Sequence, residues 1–121
     1  MNIKIETGPE ALAWLRSNGH EAALASNRFP DTPSAIRFVE HLYELGVRRI
    51  FIPQDSIVAD EEELNDLGGP YSDTLVIEIG EAAISPELEV IYRQEATLEG
   101  YDLKSGDLPL IQGRYLLLWW D

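Results

Sequence analysis

The chain predicts an α+β fold with a ferredoxin-like split βαβ core, in the order β-α-β-β-α-β, preceded by an extra strand and helix. Three observations lead there. Short apolar alternations at 47–53 and 72–80 read as strands, as does the continuous apolar run ending in 114–120. Two longer stretches, from Thr32 and from Pro86, repeat their apolar residues at helical spacing. The 121 residues fit one domain, 1–121, large enough for a core without staples. No linker or repeat divides them.

The elements follow in order. Ile3 and Ile5 share one side of a short N-terminal strand pattern. Thr7 is placed as a helix N-cap, with Pro9 in the first turn and Glu10 three residues on, as in a capping box. Leu12, Trp14 and Leu15 make a short amphipathic helix that Asn18-Gly19 ends. Residues 21–29 favour helix on alanine content. The split order needs a strand there, so a strand is expected, with helix as the competing assignment.

Asp31 or Thr32 then caps the clearest helix, with Pro33 near its first position and Ile36, Val39, Leu42 and Leu45 along its stripe. Gly46 stops it. In Val47 to Pro53, Ile50 and Ile52 face one way and Arg49 and Phe51 the other. Asp60 opens a short helical turn through Glu61, Glu62 and Glu63, ended by Gly68-Gly69-Pro70. Ser72 to Gly80 is a strand with Leu75, Ile77 and Ile79 on one face. Ser85-Pro86 starts a helix whose stripe is Leu88, Ile91, Glu95 and Leu98. In the last strand, Arg114 to Trp120, Trp119 and Trp120 point to opposite faces. Apolar residues on both faces imply that both are covered. If one is not, the patch suits a partner or a second copy.

Charge is the other strong feature. The net charge is −13. Residues 1–53 balance six bases with six acids, whereas residues 54–121 set three bases against sixteen acids, so the second half holds the whole excess. Such a field repels nucleic acid and anionic membrane and attracts a basic protein.

Motif chemistry is sparse. With no cysteine, disulfides and thiolate metal sites are excluded. His41 and Glu44 share a helix side, but two ligands do not make a zinc site. The acidic stretch Asp55 to Asp66 lacks the glycine and alternating ligands of an EF-hand loop. No serine stands in a nucleophile elbow and no glycine run forms a phosphate loop. The expectation is no cofactor, no metal and no assigned catalytic residue.

Without a signal segment, a membrane span or cysteine, the sequence reads as cytoplasmic. The first functional reading is a small acidic, non-catalytic protein-binding or regulatory domain, such as an inhibitor or immunity-type protein for a basic partner. Its candidate partner-binding residues are Asp55, Asp60, Glu61, Glu62, Glu63, Asp66, Glu95 and Glu99. The second reading is a small-ligand-binding domain or enzyme with a carboxylate-based site, and the third a structural homodimer.

Overall fold

A computed structural model of the chain describes residues 8–26, 28–58, 68–79, 86–98 and 115–120. Among these described residues it is a mixed α+β arrangement of three helices on a three-stranded antiparallel sheet.

Helix α1 spans Ala11–Arg16. Its cap is Glu10, whose carboxylate accepts the Leu12 and Ala13 N–H groups at 2.9 Å each. The helix therefore starts later than a Thr7 cap would place it; Thr7 itself, like the expected strand at Ile3 and Ile5, lies outside the described residues. Helix α2, Thr32–Glu44, is capped by Asp31, which accepts from the Ser34 N–H at 2.8 Å. Its buried stripe is Thr32, Ala35, Val39 and Leu42. Gly46 follows at φ +93°, where a side chain would strain the backbone. Helix α3 covers Pro86–Leu98.

Strands β1 (Arg49–Phe51), β2 (Thr74–Glu78) and β3 (Tyr115–Trp119) lie in the order β1-β2-β3. Ile50, Ile77 and Leu116 stand in register, as do Phe51, Val76 and Leu117. The pleat sends Ile50, Leu75, Ile77, Leu116 and Leu118 to one face. These residues join the buried sides of α1, α2 and α3 in one core, together with Ile52 and Trp120. Fully burying a side chain of this kind contributes about 1.5–3 kcal/mol. The other face carries Arg49, Phe51, Thr74, Val76, Glu78, Tyr115, Leu117 and Trp119. The outer edge of β1 is paired in turn: Glu10 bridges Phe51, and the Ile52 N–H donates to the Pro9 carbonyl at 3.0 Å.

The expected strand at 21–29 is not formed among the described residues of that segment, 21–26 and 28–29. Leu24 makes a single parallel bridge to Ser72, and the chain then leaves the extended region at Ala25, φ +43°. Ala23, Leu24 and Ala25 are fully buried, so packing fixes this segment without a ladder. The ladder position is also taken. In a split βαβ each crossover joins parallel strands with another strand between them. Here the strands flanking α3 are antiparallel neighbours, hydrogen-bonded along their length. The pairing thus departs from the ferredoxin-like arrangement while the α+β class stands.

Two loops meet backbone to backbone. A side chain at Gly19 would collide with the Gly68 carbonyl, and Gly68 has φ +84°. Asn18 holds the junction, donating to the Pro70 carbonyl at 2.9 Å and accepting from the His20 N–H at 2.8 Å. Among the described residues, no helix is long and apolar enough to cross a membrane.

Candidate functional site

The structure distributes the candidate acids unevenly. Asp55 is exposed on a 3-10 turn, Gln54–Ser56, directly after β1. Asp60, Glu61, Glu62, Glu63, Asp66 and Glu99 lie outside the described residues. Glu95 is a correction. It is 4 % exposed and faces the core, so it offers no carboxylate to a partner. Its place in one stripe with Leu88 and Ile91 is the reason: the helical period turns it inward.

Glu95 is buried and held by two partners. The Arg28 guanidinium forks onto it, Nε at 2.6 Å and Nη2 at 2.9 Å, and the Trp120 indole N–H donates to it at 3.0 Å. The same guanidinium lies 4.7 Å from the Phe29 ring centre and 5.9 Å from that of Phe38. Phe29, Phe38 and Trp120 pack on one another with centroids 5.1–6.2 Å apart. A buried carboxylate persists only with such pairing. The cluster ties the segment before α2 to α3 and to the end of β3.

The opposite sheet face repeats these ingredients. Arg49 and Glu78 are register partners, Nε to Oε1 3.3 Å, and the Arg49 guanidinium sits 4.7 Å from the centre of the Phe51 ring. Arg48 adds a longer contact to Glu78 at 3.8 Å. At the far end of this face Trp119 is 46 % exposed. Its indole N–H donates to Asp73 Oδ2 at 3.3 Å, while the Thr74 hydroxyl donates to Oδ1 at 2.8 Å.

Elsewhere, Glu10 and Tyr43 hold each other in fixed states. Burial opposes the charge on Glu10, but the Leu12 and Ala13 N–H groups, the Tyr43 hydroxyl and the field of Arg16 outweigh it and hold the carboxyl below its usual range. Tyr43, desolvated and donating to Glu10 at 2.7 Å, is pushed up to about 12. It also accepts the Ile50 N–H at 3.0 Å. A carboxylate that stays ionised and a phenol that stays protonated around neutrality form a latch between α1, α2 and β1. General acid–base work calls for values near the working pH.

His20 is buried, its Nδ1 accepting from the Ala22 N–H at 2.9 Å. His41 is exposed, with Nδ1 3.6 Å from Glu44 Oε2. Among the described residues, no three His, Asp or Glu side chains gather as a metal site would require. An open groove between α2 and α3 is lined by His41, Pro86, Glu87, Val90 and Ile91.

Asp73 was missed in the sequence, because nothing local links it to a tryptophan 46 positions later. The available signal was the parity of the last strand, which separates Trp119 from Trp120. Comparisons with known proteins assign no relative: no family model matches the chain, and no curated protein and no solved structure matches it either.

Proposed function

We propose that the chain is a small acidic, non-catalytic binding domain that engages a basic protein, in the manner of an inhibitor or immunity-type regulator. The observation that carries this reading is the one-sided charge of residues 54–121, sixteen acids against three bases. A field of that sign speeds encounter with a cationic surface and disfavours wrong, acidic partners. With Glu95 withdrawn to the interior, the working acids are Asp55, Asp60, Glu61, Glu62, Glu63, Asp66 and Glu99.

The test is affinity capture from the native host at low and at high ionic strength. It is run with the wild type and with a variant carrying Asp60→Asn, Glu61→Gln, Glu62→Gln and Glu63→Gln. A basic protein retained at low salt, released at high salt and retained about tenfold less by the variant is the expected result. Retention indifferent to both salt and charge removal would sink the reading.

A further inference from the structure

Twice among the described residues, an arginine lies over an aromatic ring while its charge meets a carboxylate. Arg28 does this with Phe29 and Glu95, and Arg49 with Phe51 and Glu78. A third pairing of ring and carboxylate, Trp119 with Asp73, has no cation among the described residues. It is also the exposed one, with Trp119 at 46 %.

We propose that Trp119 and Asp73 form a docking point for an arginine presented by a basic protein partner. The inference rests on the basic-partner reading above and adds to it a place and a side chain. Indole is the strongest of the aromatic faces for a cation, and guanidinium both stacks on it and hydrogen-bonds to a carboxylate beside it. Asp73 supplies that carboxylate. Each of its oxygens already accepts one hydrogen bond, from Trp119 or from Thr74, and each retains capacity for a second.

The indole–carboxylate bond also orients the ring before anything binds. Little side-chain freedom is left to lose on docking. Trp119 stands in register with Thr74, and the Trp120 N–H donates to the Asp73 carbonyl at 3.0 Å, so backbone pairing holds the two side chains together. The net charge of −13 decides the occupant. A second copy would bring the same charge and be repelled, as would an anionic lipid surface, whereas a cationic segment is drawn in.

The experiment is a titration of the isotope-labelled full chain with a hexa-arginine peptide at low salt. The readout is the indole N–H resonances of its three tryptophans. A saturable shift of the Trp119 resonance, with that of the buried Trp120 unmoved, is expected. Asp73→Asn and Trp119→Ala should each weaken binding about two- to fivefold, and hexa-lysine should move Trp119 less than hexa-arginine does. Peptide binding that leaves the Trp119 resonance in place, or equal responses to the two peptides, would overturn the assignment and leave the basic-partner reading intact. Failure of the peptide to bind at all would overturn both. The wild-type titration needs no variant, so it stands even if a substitution disturbs folding.

Discussion

Trp119 and Trp120 are chain neighbours with the same side chain and the same kind of hydrogen bond, yet they live in opposite circumstances. Each indole N–H donates to a carboxylate, Asp73 for one and Glu95 for the other. Trp120 is 2 % exposed, and its carboxylate carries an arginine from within the chain. Trp119 is open to solvent, and its carboxylate has no such arginine among the described residues. The strand's two-residue period makes this division, one step along the backbone reversing the face. The buried set is complete and serves stability, whereas the exposed set has capacity to spare.

The largest effect should come from the closed side. Trp120→Ala removes a ring packed on Phe29 and Phe38 and leaves a cavity, costing about 3–5 kcal/mol in denaturant unfolding. A loss under about 1 kcal/mol would mean that Trp120 is not central to the core. Glu95→Ala comes next. It strands the Arg28 charge and the indole N–H, at a cost of about 3 kcal/mol. Measured against it, Asp73→Ala should cost less than about 1 kcal/mol, since its surroundings are wetter. Equal costs would erase the contrast between the two tryptophans.

Effects between those of Glu95 and Asp73 belong to the latch around Tyr43. Glu10→Ala removes the α1 cap and should destabilise by about 1–2 kcal/mol. The same pair sets a pH signature. Glu10 has a folded value below its unfolded one, so its contribution is present above the unfolded value and fades as pH falls through the folded one. Tyr43 is raised to about 12, so its contribution is present below the ordinary tyrosine value of about 10 and is lost as pH rises through about 12. Melting temperature should therefore fall between those limits in the wild type, and less so in Tyr43→Phe. Identical alkaline profiles would rule out the Tyr43 contribution.

Local signals carried much of the fold. Asp31, Pro33 and the Ile36–Val39–Leu42 spacing mark α2, alternation marks β1 and β2, and a continuous apolar run marks β3, because caps and periods act over a few residues. Residues 21–29 were not legible in the same way. Their alanines favour no strand, and what fixes them is burial together with the turn at Ala25, both imposed by the rest of the molecule. The choice of β3 as neighbour of β2 is likewise nonlocal. In the site, parity separated Trp119 from Trp120, but their carboxylates come from 46 and 25 positions away. Glu95 stood in an apolar helical stripe, and that spacing was better guidance than its charge.

The bridge between Val58 and Tyr71 has a consequence for how this chain can change. Two hydrogen bonds, Val58 N–H to the Tyr71 carbonyl at 2.7 Å and Tyr71 N–H to the Val58 carbonyl at 2.9 Å, join the chain on either side of Asp60 to Asp66. The Gly19–Gly68 approach secures the returning end. Lengthening a loop between fixed ends costs little, about 0.6 kcal/mol per doubling. The frame at Val58–Tyr71 and Gly19–Gly68 should therefore keep its register when the chain between Val58 and Gly68 is changed in length or charge.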